Sequence, residues 1–346
     1  MKFKKLGNTS LDVSLICLGT MNMGEQNTQK ESFEQMDYSL EKGVNFFDTA
    51  EVYSVPPKEK TQGKTEEIIG NWFEERKNRG KIILATKIVG PGPSWIRDGG
   101  GNYNEQNISK AIEGSLKRLR TDYIDLYQLH WPERKTNFFG KRDFEYNTEE
   151  EKWNDFESIL KVLKKFIDQG KIRYIGISNE TPWGFSKFLE ISNKLNLPRI
   201  VSVQNPYNLL NRSYDIGMSE ISCREKVGLL AYSPLAIGYL SGKYINNKKP
   251  INSRIALYGN FWTRYKEENA KKAVKDYYKL AKENGLSLTQ MALAFVNSRP
   301  FMTSNIIGAT TIEQLKENIE SVEVNLDEKT IEKINLIHAN NPNPTP

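Results

Sequence analysis

Eight short runs of apolar and β-branched residues recur along the chain, and this repetition most constrains the fold. The runs start near Leu15, Val44, Ile82, Ile124, Ile172, Ile200, Gly228 and Asn305. Most are followed by a stretch with apolar residues at helical spacing, such as Phe156, Ile159, Leu163 and Phe166. Strands that alternate with helices predict an α/β fold in which parallel strands are joined by helical crossovers.

Two architectures satisfy this alternation: a closed eight-stranded barrel and an open, doubly wound sheet. An open dinucleotide-binding sheet carries the motif GxGxxG after its first strand. Here the first run ends in the residues LGTMNMG, positions 18–24, which do not match that motif. The strand number and the absent motif both favour a (β/α)8 barrel, the TIM barrel. We expect one barrel domain over residues 1–346, since a single α/β barrel can reach this length.

Three segments do not fit the minimal repeat. Residues 3–13 predict a β-hairpin that plugs the floor of the barrel. Residues 131–151 and 233–254 are long connections that follow the fourth and seventh runs. Both come after strands, so we expect them at the C-terminal face of the barrel, where the active sites of such enzymes lie.

Composition and charge argue against several classes of function. The net charge is +6, but basic residues are interspersed with acidic ones, so we expect no nucleic-acid partner. The two cysteines, Cys17 and Cys223, belong to no Cys/His cluster, so neither a disulfide framework nor a metal site is expected. The apolar runs are too short to cross a bilayer, and the first ten residues lack the apolar core of a signal peptide. We therefore expect a cytoplasmic protein with no membrane partner; the sequence does not indicate its oligomeric state.

Four residues that can carry chemistry fall at or just after strand ends. Asp48, Lys87 and His130 end the second, third and fourth runs, and Tyr53 follows Asp48 in the next loop. Singly, each has an ordinary alternative: a cap, a solvated lysine, a histidine held by hydrogen bonds, or a packed aromatic ring. Together they would meet, because the carboxyl ends of barrel strands share one face.

This combination suits the protonation of a carbonyl oxygen. The ordinary tyrosine pKa of about 10 is too high for an efficient acid at neutral pH, and Lys87 is expected to lower the pKa of Tyr53. Asp48 would keep Lys87 charged and oriented. His130 would donate a hydrogen bond to the substrate oxygen. Because these residues offer no nucleophile for hydrolysis, they require a hydride donor, which indicates a nicotinamide cofactor.

The motifs around these residues resemble those of the aldo-keto reductase superfamily, from about residue 1 to 330. The matching motifs are GVNFFDTAEVY (43–53), LATK (84–87), YIDLYQLH (123–130) and GKIRYIGISN (170–179). The branch of Tas-like proteins and potassium-channel β subunits is the most similar, on the grounds of LHWP (129–132), SNET (178–181) and QNPYN (204–208). The resemblance implies NADPH-dependent reduction of aldehydes or ketones, with Tyr53 as general acid and with Asp48, Lys87 and His130 as the other catalytic residues.

The resemblance also implies a binding site for NADP(H). Expected at the nicotinamide end are Gly19, Thr20, Met21, Asp48, Ser178, Asn179, Gln204 and Tyr232. Expected along the phosphates are Ser233, Leu235, Gly238, Ser241, Lys243 and Arg254. Expected around the adenosine and its 2′-phosphate are Gly308, Ala309, Thr310, Gln314, Glu317 and Asn318. Gly308 and Gln314 stand where many of these reductases have a lysine and an arginine.

The expected partner is a small-molecule carbonyl substrate. Tyr53, His130 and Trp131 are expected to contact it, and the aromatic residues Phe138, Phe139, Phe144, Tyr146, Phe261 and Trp262 are expected around it. Residues 131–151 are expected to fold over the substrate; the alternative is a loop packed on a neighbouring helix or a second subunit. Two other functions stay open: a cofactor-binding regulatory or redox-sensing subunit of the channel-β type, and an unrelated barrel lyase or isomerase.

Overall fold

A closed barrel of parallel strands organises the computed structural model, which describes residues 1–99, 101–146, 153–259, 261 and 263–346. The strands are β1 (Phe3–Lys5), β2 (Asp12–Ser14), β3 (Ile16–Gly19), β4 (Phe46–Asp48), β5 (Ile83–Ile88), β6 (Ile124–Leu129), β7 (Ile172–Ser178), β8 (Ile200–Pro206), β9 (Gly228–Tyr232) and β10 (Met302–Ile307). Strands β3 to β10 pair in chain order, and β10 closes the circle by pairing with β3. The predicted (β/α)8 barrel is confirmed.

Helices connect the strands and cover the outside of the barrel. They are α1 (Gln29–Glu41), α2 (Lys64–Arg76), α3 (Glu105–Leu119), α4 (Phe156–Asp168), α5 (Pro182–Leu195), α6 (Met218–Glu225), α7 (Arg254–Tyr258), α8 (Glu268–Glu283), α9 (Leu288–Asn297), α10 (Ile312–Glu320) and α11 (Glu328–Asn340). Helix α4 shows why such segments are helical. Asp155 caps its first turn by accepting a 2.7 Å hydrogen bond from the Ser158 amide. Its apolar residues are spaced to form one buried face.

The predicted hairpin plugs the N-terminal end of the barrel, as expected. Strands β1 and β2 pair antiparallel, and Leu6 and Val13 pack among residues that point into the barrel. Gly7 is needed at the turn for two reasons. Its φ is +57°, and a Cβ there would lie 2.6 Å from the Val201 carbonyl oxygen. Ligands are therefore to be sought at the opposite, C-terminal face.

The long connections lie at that C-terminal face. Residues 131–146 follow β6, and residues 233–259 follow β9 and end in α7. Both contribute residues to a cleft at the strand ends. Among the helices of the described residues, none is long and apolar enough to cross a membrane.

Candidate active site

A cleft of about 940 Å³ opens at the C-terminal ends of the strands, a volume typical of small-molecule sites. Its lining includes every residue predicted to be catalytic, to bind the cofactor or to contact the substrate directly, except Lys87, which lies fully buried against Asp48 and Tyr53. The lining members of the predicted set are Gly19, Thr20, Met21, Asp48, Tyr53, His130, Trp131, Ser178, Asn179, Gln204, Tyr232, Ser233, Leu235, Gly238, Ser241, Lys243, Arg254, Gly308, Ala309, Thr310, Gln314, Glu317 and Asn318. The structure thus brings the set together, and the roles of its members stay predictions.

A buried ion pair lies at the bottom of the cleft. Lys87 Nζ is 2.7 Å from Asp48 Oδ2 and donates a 2.6 Å hydrogen bond to the Thr49 carbonyl oxygen. The same ammonium group is 3.4 Å from the hydroxyl oxygen of Tyr53. Asp48 ends β4, and Lys87 lies on the neighbouring strand β5, so strand pairing sets this geometry. A phenol is therefore held next to a fixed positive charge.

The structure corrects one expectation about Tyr53. Burial raises the pKa of Tyr53 above its ordinary value of 10.0, and the nearby charge of Lys87 offsets this effect only in part. Burial alone would lower the pKa of Lys87, but Asp48 and Tyr53 raise it above its ordinary value. Lys87 is therefore a cation, and Tyr53 carries its proton across the neutral range.

His130 faces Tyr53 across the cleft. The two rings are edge to face, with centroids 5.7 Å apart. Burial, and secondarily the charge of Lys87, hold the pKa of His130 well below 6.5. The imidazole is therefore neutral and has one N–H group to donate. Among the described residues its Nδ1, which is fully buried, has no hydrogen-bond partner.

Glu51 fixes the loop that carries Tyr53. Its carboxylate accepts a 2.7 Å hydrogen bond from the Val89 amide and forms a buried ion pair with Arg97. Its own amide donates to the Lys87 carbonyl oxygen at 3.2 Å. The loop after β4 is thus fastened to Lys87 and to Val89, which directly follows β5, and these bonds keep Tyr53 next to the ammonium group.

Two glutamine amides complete the surroundings of Asp48. Gln204 Nε2 and Gln128 Nε2 donate to Asp48 Oδ1 at 2.8 and 3.2 Å. Sequence reasoning missed Gln128, although it lies two residues before His130 and therefore points to the same side of β6. These hydrogen bonds satisfy Asp48 Oδ1, the carboxylate oxygen that does not accept from Lys87.

Ser178, Asn179 and Tyr232 form a connected group at the expected nicotinamide end. Asn179 Nδ2 donates to the His130 carbonyl oxygen at 2.8 Å and to Ser178 Oγ at 3.1 Å. The Tyr232 hydroxyl donates to Asn179 Oδ1 at 2.6 Å. Both donor hydrogens of Asn179 are therefore used within the protein, and its side chain holds the neighbouring groups in place.

Two cations meet where the phosphates of a dinucleotide are expected. Burial and the neighbouring charge of Arg254 lower the pKa of Lys243. Arg254 Nη2 donates to Asn22 Oδ1, and Asn22 Nδ2 donates to the Ala309 carbonyl oxygen at 3.3 Å. Asn22, which sequence reasoning missed, thus connects Arg254 to the segment after β10. Two like charges held together in a partly buried cleft favour a bound anion.

The expected adenosine end is ordered by side chains at the start of α10. Gln314 Oε1 accepts hydrogen bonds from the amide and the hydroxyl of Thr310, at 3.0 and 3.1 Å. Asn318 Nδ2 donates to the Gly308 carbonyl oxygen at 3.2 Å. Ser287, a further lining residue without a sequence signal, donates to Glu317 at 2.5 Å. These hydrogen bonds tie the turn after β10 to helix α10.

Only some of the aromatic residues expected around the substrate line the cleft. Trp131, Phe139 and Phe261 line the cleft. Phe138 packs edge to face on Phe139, with ring centroids 5.1 Å apart. Contrary to the expectation, Phe138, Phe144 and Tyr146 do not line the cleft, and the last two are 60% and 79% exposed. Trp262 and residues 147–151 lie outside the described residues.

Comparisons with known proteins agree with this geometry. The model of the Aldo/keto reductase family matches residues 15–339. The chain is 46% identical over 342 residues to Protein tas of Escherichia coli (strain K12), covering 98% of each chain. It is 35% identical over 344 residues to the uncharacterized oxidoreductase YrpG of Bacillus subtilis (strain 168), covering 97% of this chain and 96% of that protein. It is 30% identical over 354 residues to a probable voltage-gated potassium channel subunit beta of Oryza sativa subsp. japonica, covering 100% and 99%.

Proposed function

This chain belongs to the aldo/keto reductase family, and we propose that it reduces an aldehyde or ketone to an alcohol with NADPH and with Tyr53 as proton donor. Membership supports oxidoreductase activity on carbonyl groups in general. One observation supports the finer proposal above all others: the Lys87 ammonium, held by Asp48, lies 3.4 Å from the Tyr53 hydroxyl beside His130. A phenol in this setting can give up a proton and leave a stabilised phenolate.

The residues of the cleft suit a nicotinamide dinucleotide. When bound, the reduced nicotinamide supplies a hydride to the carbonyl carbon. Ser178, Gln204 and Tyr232 would hold the ring, Lys243 would hold the pyrophosphate, and the neighbouring Arg254 would hold the phosphate on the adenosine 2′-oxygen. The lowered pKa of Lys243 next to Arg254 supports this assignment, because an anion between the two cations would relieve their repulsion.

Tyr53 and His130 act together on the substrate oxygen. His130 donates its N–H to the carbonyl oxygen and orients it. The Tyr53 hydroxyl gives its proton to the same oxygen, which becomes the alcohol. Lys87 stabilises the phenolate that remains on Tyr53, and Asp48 keeps Lys87 in position through the 2.7 Å ion pair. The raised pKa of Tyr53 ensures that the proton is present before the reaction.

A preference for NADPH over NADH is part of the proposal. The side chains of segment 308–318 that line the cleft include Gln314, Glu317 and Asn318 but not Lys316, whereas many of these reductases have basic residues here. We therefore assign the 2′-phosphate to Arg254. Its bond to Asn22, which contacts Ala309, supports this position. An arginine can bind a phosphate with two parallel hydrogen bonds.

A second candidate function is a regulatory or redox-sensing subunit that binds the cofactor without sustained turnover. It is favoured by the 30% identity to the rice protein named as a probable potassium channel subunit beta. The same catalytic residues would be present in either case, so turnover separates the two candidates. The barrel of the proposed enzyme would be one domain over residues 1–346, in a cytoplasm that keeps Cys17 and Cys223 as free thiols.

The test is NADPH oxidation by the purified protein in the presence of a panel of aldehydes and ketones. We expect steady oxidation over many turnovers with at least one member of the panel, and tighter binding of NADPH than of NADH. Tight NADPH binding without turnover on any member would favour the regulatory subunit. Absence of binding for both dinucleotides would contradict both candidates.

A further inference from the structure

Gln128 lies beside the ion pair of Asp48 and Lys87 but does not line the cleft. It belongs to β6, two residues before His130, and is fully buried. Its Nε2 donates to Asp48 Oδ1 at 3.2 Å, and its Oε1 accepts from Gln204 Nε2 at 3.2 Å. Gln204 Nε2 also donates to Asp48 Oδ1, at 2.8 Å. The three side chains therefore form a closed triangle of hydrogen bonds below the cleft.

The strand between the two glutamines leaves room for them to meet. Gln128 lies on β6 and Gln204 on β8, so β7 separates them. The residue of β7 that pairs with Gln128 is Gly176, which has no side chain. A Cβ on Gly176 would lie 3.3 Å from Gln128 Cγ and 2.7 Å from Ser202 Oγ. A side chain at this position would therefore crowd the space in which the two amides form their hydrogen bond.

The charge of Asp48 decides which way round both amides stand. Asp48 is the anionic partner of Lys87, and a carboxylate offers only acceptors. The NH2 group of each glutamine must therefore point toward Asp48, because an amide oxygen there would face a carboxylate oxygen. The Gln128 oxygen then accepts the second N–H of Gln204. Both N–H groups of Gln204 are thus used within the protein.

The amide oxygen of Gln204 is the part of this group that is left for a ligand. No described residue donates to Gln204 Oε1, and this oxygen is not sealed off from the cleft that Gln204 lines. An amide oxygen can only accept, so a ligand group that meets it must be a hydrogen-bond donor. An amide that could turn over would instead serve a donor or an acceptor equally well.

We propose that Gln128 is a positioning residue, which keeps the Gln204 oxygen directed into the cleft so that it selects a cofactor ring bearing an N–H donor. The inference rests on the proposed function, since the nicotinamide ring carries a carboxamide whose NH2 group is such a donor. Asp48 alone would hold Gln204 by one hydrogen bond, about which the amide could swing. The second bond, to Gln128, fixes the plane of the amide. Gln128 thus acts through Gln204 and does not itself touch the cofactor.

A simpler role for Gln128 would be to satisfy Asp48 alone. Without Gln128, the Asp48 carboxylate would keep Lys87 as a partner at 2.7 Å and Gln204 at 2.8 Å, both closer than Gln128. Among the described residues, Gln204 Nε2 has no acceptor other than Asp48 and Gln128. The group that depends most on Gln128 is therefore the Gln204 amide.

The test compares the binding of NADPH with that of its acetylpyridine analogue, in which a methyl group replaces the carboxamide NH2. Isothermal titration measures both affinities without turnover. For the wild-type protein we expect NADPH to bind at least about 5-fold more tightly, because the analogue leaves the Gln204 oxygen unpaired. Gln128→Met keeps the length of the side chain and removes its amide, and it should reduce this preference to about 2-fold or less.

Two controls separate this effect from general damage to the cleft. Adenosine 2′,5′-bisphosphate, which lacks the nicotinamide ring, should bind to Gln128→Met as tightly as to the wild type. Gln35→Met removes another buried amide, on α1 and away from the cleft, and should keep the full preference for NADPH. Gln128→Leu, which removes the same amide with a different shape, serves as the second variant if Gln128→Met does not fold.

Three results would overturn the inference. Equal binding of NADPH and its analogue by the wild-type protein would contradict it and leave the proposed function intact. A full preference for NADPH in Gln128→Met would show that Asp48 alone orients Gln204. Weaker binding of the adenosine fragment by this variant, in step with NADPH and the analogue, would give Gln128 a structural role only. Absence of binding of all three ligands by the wild type would count against the proposed function itself.

Discussion

Burial controls the protonation of the two residues that would meet the substrate oxygen. It raises the pKa of Tyr53 above 10.0 and lowers that of His130 below 6.5. Reduction requires the neutral form of both. Tyr53 loses activity only when pH rises through its raised pKa, and His130 only when pH falls through its lowered pKa. We therefore expect the pH profile of kcat/KM for reduction to have no inflection point between pH 6.5 and pH 10.0. An inflection inside this window would show that one of the two protonation states is wrong.

Arg254 offers a test of cofactor preference by a single substitution. Arg254→Ala should weaken NADPH binding by roughly 1.5–3 kcal/mol, the range for hydrogen bonds to charged groups. NADH lacks the 2′-phosphate, so its binding should barely change. Lys249→Ala is a suitable control, because Lys249 is exposed on the same connection and does not line the cleft. Isothermal titration with both dinucleotides measures the effect, and equal weakening of the two would contradict the assignment.

At the residue scale, the sequence predicted the acidic, basic and aromatic residues better than their amide neighbours. Asp48, Lys87 and His130 stand out because ionisable groups rarely end buried strands. Gln128 and Asn22 do not stand out, since an amide has no unusual cost at a strand end or in a loop. The pKa of Tyr53 was misjudged because a sequence shows the charge of Lys87 nearby and does not show how deeply the phenol is buried.

At the scale of secondary-structure elements, the connection after β6 joins the strand end next to His130 to the rim of the cleft. At the start of this connection, the Tyr103 hydroxyl donates to the Trp131 carbonyl oxygen at 2.5 Å. Farther along it, Arg142 Nη2 donates to the Pro344 carbonyl oxygen at 3.3 Å. Replacing residues 136–145 by a short Gly/Ser bridge removes Phe139 from the cleft. We expect poorer kcat/KM for bulky aromatic aldehydes, with NADPH affinity and melting temperature close to normal. An unchanged ranking of a carbonyl panel would exclude this connection from the substrate site.

A buried ion pair joins the connections after β6 and β7. Arg134 Nη1 donates to Glu180 Oε2 at 3.0 Å, and the guanidinium lies 4.9 Å from the centre of the Trp183 ring. Arg134→Met leaves the Glu180 carboxylate buried without its cation. Unfolding in urea should show a loss of about 3–5 kcal/mol, the usual effect of breaking such a pair. Arg224→Met, which breaks an exposed pair with Glu220, should change the stability little; a similar small loss for Arg134→Met would show that the pair is dispensable.

At the scale of the whole molecule, closure of the barrel creates the cleft. Gly19, Asp48, Lys87, Ser178, Gln204 and Tyr232 lie at or near the ends of six different strands, and His130 and Gly308 directly follow the ends of the other two. Residues separated by nearly the whole chain thus meet at one face. The order of the motifs in the sequence was sufficient to predict this meeting, because parallel strands in a closed barrel place all their carboxyl ends together.

The boundaries that the sequence did not predict have physical causes. Strand β10 begins at Met302, three positions before the expected start. The sequence did not indicate this start because Thr303 and Ser304 are buried polar residues that interrupt the apolar pattern. Ser304 Oγ satisfies its bonding by donating to the Ser14 carbonyl oxygen at 2.7 Å. Strand β4 begins at Phe46, later than Val44, because the Val44 amide still donates to Ser39 at the end of α1.

The central claim is that this family member is a working reductase in which Tyr53 donates the proton. The most direct measurement is the turnover of Tyr53→Phe at saturating NADPH and substrate, compared with the wild type and with Tyr146→Phe, a control at an exposed tyrosine. We expect kcat to fall by at least about 100-fold for Tyr53→Phe, the usual contribution of a general acid, while NADPH affinity and the control variant stay normal. Near-normal turnover by Tyr53→Phe would contradict the claim.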